Sequence, residues 1–185
     1  IPSFDEEAKT LVFHRLADGE VQLWRLEVET GRAVRLTDAA TPNALWRPWL
    51  QPPARGVREY LNAFSPRTRE CLYFDGNDLR CVHIDTLADR IVHHVPDDRT
   101  PCSLTGVSPD GRWFVFAHAD RAWWEANLEK GPASAEAKET RVDLVELATG
   151  RVRTLLQING WITHAHFFDN DRVLLSHPPT ERGIL

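Results

Sequence analysis

The chain of 185 residues is 42% hydrophobic and 26% charged, with 12 Pro, 10 Gly, 7 Trp and no Met, a composition that excludes disordered, collagen-like and disulfide-scaffold proteins. Its 27 acidic against 22 basic residues leave a formal charge of -5 and a pI near 5.9, which disfavours nucleic acid as a partner because the basic footprint it needs is missing. No apolar run approaches the roughly 20 residues of a membrane helix and residues 1–9 do not read as a secretory signal, so a soluble protein with no membrane partner is expected.

Cys71, Cys81 and Cys102 are odd in number and form no CxxC pair, which argues against a disulfide framework or zinc knuckle and for a reducing, cytoplasmic setting with the thiols as small core residues. The absence of an initiator Met, with a start inside a repeat, leads to the expectation of a fragment, a processed chain or a sequence with residues removed.

In chain order, a turn followed by an apolar strand recurs four times: Phe4-Asp5 through Leu11-Val12-Phe13, Ser65-Pro66 through Leu72-Tyr73-Phe74, Ser108-Pro109-Asp110-Gly111 through Phe114-Val115-Phe116, and Phe168-Asp169-Asn170-Asp171 through Val173-Leu174-Leu175. Pro presets the first turn dihedral, and Asp, Asn and Gly tolerate the rest. After the first three comes a second shared unit, Leu23–Leu36, Leu79–Val92 and Val142–Leu155, in which Glu29-Thr30-Gly31, Asp85-Thr86-Leu87 and Ala148-Thr149-Gly150 sit between alternating apolar and charged runs. That alternation is the pattern of hairpin strands with one wet face.

Each unit therefore reads as a four-stranded antiparallel sheet, and sheets recurring every 40 to 60 residues or so mark propeller blades. A β-sandwich also shows short strands at regular spacing, but it does not repeat the turn sequence itself. The expected fold is all-β, a β-propeller with about three and a half blades in this chain: about 1–40, 63–98, 101–158 and, incompletely, 159–185. Two insertions break the rhythm. Residues 41–62 carry Pro42, Pro48, Pro52, Pro53, Trp46 and Trp49 and should pack on something. Residues 117–141 hold Trp123-Trp124 and read as short helical turns, a lid or a brace. An open arc would leave unpaired edges that natural proteins avoid, so further blades, or a partner chain such as a second copy in a homodimer, are expected to complete it.

The order of Leu79-Arg80-Cys81-Val82-His83-Ile84-Asp85-Thr86-Leu87, the Trp-rich insertion, Arg141 through Gly150, Asn159-Gly160-Trp161-Ile162-Thr163-His164, Phe168-Asp169-Asn170 and Val173-Leu174-Leu175-Ser176-His177-Pro178 resembles the oligogalacturonate lyases. The resemblance covers nearly the whole chain, as order and spacing rather than a single diagnostic motif, and the turn-and-strand pattern alone is shared with Tol-type and prolyl-peptidase propellers. The chain departs from the family in being shorter between His164 and Phe168 and in having Pro178-Pro179-Thr180 where the family has Glu-Gly-Pro. The resemblance implies a seven-bladed propeller, if complete, that cleaves short pectin-derived uronides by metal-assisted β-elimination. It also implies a divalent metal, Mn2+, whose ligands, with the base and an assisting Arg, lie outside this chain. No catalytic residue is thus assignable here.

Abstracting the proton beside a uronate carboxylate requires that carboxylate to be neutralised by a metal ion or Arg and a base to be placed within reach. His164 and His166 sit two apart on an expected channel-lining strand and point to one face. His177 ends the next strand, and the three are candidates for binding the oligogalacturonide substrate or a metal. Taken singly, each reads more readily as a hydrogen-bonded structural histidine at a blade end. Trp123 and Trp124, like Trp46 and Trp49, offer sugar-stacking surfaces or anchors for the insertions. His93-His94 point to opposite faces of an outer strand, and His118 reads as a loop histidine opening the third-blade insertion. All but three of the 22 basic residues are Arg, suited to carboxylates but also explained by codon composition. No phosphate-cradling Gly-rich loop or GxSxG elbow is present. The leading expectation is an oligogalacturonate-lyase-like enzyme, and the competing one is a non-catalytic propeller acting as an interaction module.

Overall fold

A computed structural model describes residues 3–42, 55–58, 63–103, 105–127, 139–160, 162 and 164–176. The protein is nearly all β, and the chain divides into two compact units, residues 1–94 and 95–185.

In the first unit, β1 (Ser3–Asp5), β2 (Thr10–Ala17), β3 (Glu20–Glu27) and β4 (Ala33–Arg35) form an antiparallel sheet in sequence order. β2 and β3 are in register from Thr10 opposite Glu27 to Ala17 opposite Glu20. The short β5 (Arg55–Gly56) adds to β3 in parallel, and Val57 N–H donates to the Val21 carbonyl at 2.9 Å. This described part of the 41–62 insertion does pack on the first sheet; Trp46 and Trp49 lie outside the described residues. Gly56 has φ +115, and a Cβ there would stand 2.2 Å from the Val21 carbonyl oxygen, so only Gly allows this close pairing.

A second antiparallel sheet follows: β6 (Ala63–Ser65), β7 (Glu70–Asp75), β8 (Asp78–His83) and β9 (Asp89–His94). Val12 and Leu23 of the first sheet share one buried cluster with Phe64, Cys71, Tyr73, Val82 and Ile84 of the second, joined by Val57. Each such side chain contributes roughly 1.5–3 kcal/mol by leaving water. Arg69 adds a polar tie: it donates to Asp5 at 2.8 Å and clasps Asp85, which also accepts from Arg25 at 2.6 Å.

In the second unit, β12 (Trp113–Asp120), β13 (Glu139–Glu146) and β14 (Val152–Asn159) form the body of a sheet. Its first strand is divided between β10 (Arg99–Pro101) and β11 (Gly106–Val107), both antiparallel to β12. Between them the Ser103 hydroxyl accepts the Ala117 N–H at 2.9 Å, replacing a ladder bond. Helix α1 (Arg121–Asn127) follows β12, with Asp120 capping it by accepting the Trp123 N–H at 2.7 Å. β15 (His164–Phe167) and β16 (Val173–Ser176) form a separate two-stranded sheet.

The repeat seen in the sequence is physical. At its Thr-Gly turns, the N–H groups of Gly31, Leu87 and Gly150 donate to the carbonyls of Glu27, His83 and Glu146 at 2.9, 2.9 and 2.8 Å. All three have positive φ, at +69, +60 and +71. The Ser108-Pro109-Asp110-Gly111 turn is closed by the Ser108 hydroxyl, which accepts from Arg112 and Trp113 N–H and donates to Asp110.

Candidate functional site

Strand alternation decides what β15 presents. Ala165 is fully buried, in a cluster with Cys102, Val115, Ala117, Ala119, Val142, Leu144 and Ile162, whereas His164 and His166 on either side are exposed. The two imidazoles share a face, as the i, i+2 spacing requires, with ring centroids 5.9 Å apart and planes at 45°. Gly106 makes this placement possible, since a Cβ there would meet the His166 Cα at 3.1 Å and the Phe167 nitrogen at 3.3 Å. The turns of the two sheets also meet: Asp110 N–H donates to the Asn170 side chain at 3.0 Å. Burial lowers the pKa of His166 and the neighbouring His164 lowers it further, against a hydrogen bond to the Thr105 backbone that raises it.

Trp123 and Trp124 lie elsewhere. Both are buried, at 9% and 6% exposure, in the same cluster as Ala165 and hence behind the histidine-bearing face of β15. Their rings sit 6.3 Å apart and anchor α1 to the sheet, so they present no broad face to solvent on which a sugar could stack. His177 falls outside the described residues. His93 and His94 lie on the outer strand β9, where their adjacency sends them to opposite faces, and His94 pairs with Asp78 at 2.6 Å.

The largest departure from the sequence expectation concerns His118. β12 runs to Asp120, four residues into the expected insertion, so His118 is a strand residue at 3% exposure rather than a loop histidine. The Arg99 guanidinium donates to its Nδ1 at 3.0 Å, which makes Nδ1 the acceptor and leaves Nε2–H to donate to Asp143 at 2.8 Å. Asp143 also accepts from Thr154 at 2.8 Å. Arg99 goes on to bond Glu139 at 3.1 Å, and Glu139, its pKa lowered by its hydrogen bond from Arg141 and the nearby Arg99, closes the network. The sequence signal for it was an Asp in the apolar run Val142–Val145 and a His in phase with Phe114 and Phe116 on β12. His118 and Asp143 at its centre are buried, and His118 is bonded on both imidazole nitrogens, which suits the network to fixing the sheet rather than to meeting a ligand.

The three cysteines are free and buried, as expected of small core residues. Burial pushes the Cys81 thiol well above its ordinary range. No group of three or more His, Cys, Asp or Glu side chains arranged for a metal ion occurs among the described residues. Also among them, no helix is long and apolar enough to cross a membrane.

No protein-family profile matches the chain, and no curated protein matches it in sequence. Solved structures do match. An oligogalacturonate lyase in complex with manganese superposes with a TM-score of 0.73 at 22% identity, over 95% of this chain and 44% of that one. The oligogalacturonate lyase of Vibrio parahaemolyticus gives 0.70 at 20% identity, again over 95% and 44%. TolB of Acinetobacter baumannii gives 0.58 at 14% identity, over 97% of this chain and 38% of that one. The fold is thus that of the β-propeller proteins, a class that includes lyases, TolB and peptidases. At these identities the likeness is one of fold, and the chain spans less than half the length of the lyases it matches.

Proposed function

We propose that the chain is part of an oligogalacturonate-lyase-like β-propeller, a carbon–oxygen lyase that cleaves short pectin-derived uronides by β-elimination. The observation that carries this reading is the superposition on two oligogalacturonate lyases at TM-scores of 0.73 and 0.70, against 0.58 for TolB. It is supported independently by the order of sequence segments from Leu79 to Pro178. His164 and His166 are the described residues best placed to meet an anionic sugar, because they combine exposure with nitrogen donors on one face.

The divalent metal that this reading calls for does not fit the described residues, which offer no group of three or more ligating side chains; no step is therefore assigned to it here. The free, buried thiols support a cytoplasmic setting, and a homodimer is one route by which the propeller is completed. A second reading, a non-catalytic interaction module, draws on the match of the same fold to TolB and peptidases.

The test is incubation of the full-length protein with oligogalacturonides, with and without Mn2+. Elimination creates a conjugated double bond, so ultraviolet absorbance should rise with the anionic substrate, fall on chelation and stay flat with neutral glycans. Equal cleavage of neutral glycans would contradict the lyase, and metal-independent cleavage would contradict the metal-assisted mechanism. No cleavage together with stable binding of a protein partner would favour the module.

A further inference from the structure

The face of β15 carries chemistry of its own, independent of the lyase reading. His164 and His166 lie at i and i+2 on one strand, on the exposed face, with ring centroids 5.9 Å apart. Two imidazoles that share one ion through bonds of about 2.0–2.1 Å hold their centroids no more than about 6.5 Å apart. The observed separation is within that limit, so the pair meets the distance condition for two ring nitrogens to converge on one ion. The backbone beneath them is fixed: Ala165 is fully buried, and β15 is paired with β16 through all four of its residues.

We infer that His164 and His166 form a two-imidazole site for a borderline-soft divalent transition ion, of the class of Cu2+, Ni2+ and Zn2+.

Opposite His164 stands the small Ser176, and opposite His166 stands Leu174, itself 58% exposed. Among the described cross-strand neighbours, bulk thus faces only one of the two imidazoles. Two imidazole nitrogens favour ions late in the divalent series and bind Mn2+ weakly, which sets this site apart from a manganese centre.

The experiment is a titration of the full-length protein, produced without a polyhistidine tag, with Cu2+ alone, followed by calorimetry and electron paramagnetic resonance. The native protein should bind an equivalent of Cu2+ whose spectrum shows coupling to imidazole nitrogen. In His164→Gln and His166→Gln that equivalent should weaken at least about tenfold and lose its nitrogen coupling, while circular dichroism stays native. His93→Gln should leave it intact, and Mn2+ at equal concentration should not displace it. The inference is overturned if the native protein binds no such equivalent, or if the equivalent persists in both Gln variants. Uronide cleavage is a separate readout, so failure of this site and failure of the lyase reading are distinguishable.

Discussion

Replacing Asp143 by Ala removes the acceptor for two donors that differ in what they can do next. Thr154 is exposed and can turn its hydroxyl to water. His118 cannot, because its side chain is 4% exposed and its other nitrogen is occupied by Arg99. A buried donor left without a partner costs about 1–3 kcal/mol, and the truncation adds a small cavity, so Asp143→Ala should lower stability by about 2–4 kcal/mol. His118→Phe takes one buried donor from the carboxylate while Thr154 stays in place, and it should cost a similar amount. In the double variant His118→Phe/Asp143→Ala the His118–Asp143 bond has no orphaned half, although Arg99 still loses its bond to Nδ1 as in His118→Phe alone, and the two costs should fall short of additivity by about 1–3 kcal/mol. Urea unfolding followed by tryptophan fluorescence, with the slope checked for constancy, measures all three. Additive losses, or a loss below about 1 kcal/mol for Asp143→Ala, would refute the claim that the network is a buried, mutually satisfied unit.

Three further outcomes follow from the geometry. Gly106→Ala should destabilise by about 1–3 kcal/mol, since its Cβ would press on the β15 backbone rather than on a flexible side chain; an unchanged urea midpoint would contradict that packing. Gly31→Ala meets open space but keeps φ +69, so it should cost about 1–2 kcal/mol from backbone strain alone, whereas Leu87→Gly should relieve such strain and leave stability equal or higher by about 0.5 kcal/mol. Burial pushes His14 down to about 4, and its Nε2 is enclosed without a hydrogen-bond partner. The unfolded chain therefore takes up a proton that the folded one refuses. Stability supplied by the neutral ring is present above about pH 6.5 and falls by on the order of 2–3 kcal/mol as pH drops towards 4. His14→Leu should flatten this dependence in urea midpoints measured across that range.

The turns were the most legible part of the fold because their chemistry is local. Thr30-Gly31 and Thr149-Gly150 announce a positive-φ corner, and Thr86 allowed Leu87 to be placed at the third corner even though Leu is a poor residue for it. Strand ends were less legible. Ala117-His118-Ala119-Asp120 carries no β-branched residue and reads as the start of an insertion, yet its backbone pairs on both sides, with β10 and with β13. The division of β10 from β11 was hidden for a similar reason: the Ser103 hydroxyl stands in for backbone, which no spacing rule reveals. At the candidate site, the common face of His164 and His166 followed from period two alone. The burial of Trp123 and Trp124 did not, because it depends on Val115, Val142 and Ala165, far away in sequence. Nor did the Arg99–His118–Asp143 network, whose members come from three strands.

The mass of the product tests the proposed reaction class most directly. The full-length protein, loaded with Mn2+ and given trigalacturonate, should yield a product with an unsaturated end, one water lighter than the corresponding hydrolysis fragment, because β-elimination consumes no water. Two products that both carry the hydrolysis mass, with no fragment one water lighter, would assign hydrolysis instead, and intact trigalacturonate recovered from folded, metal-loaded protein would remove the lyase reading altogether.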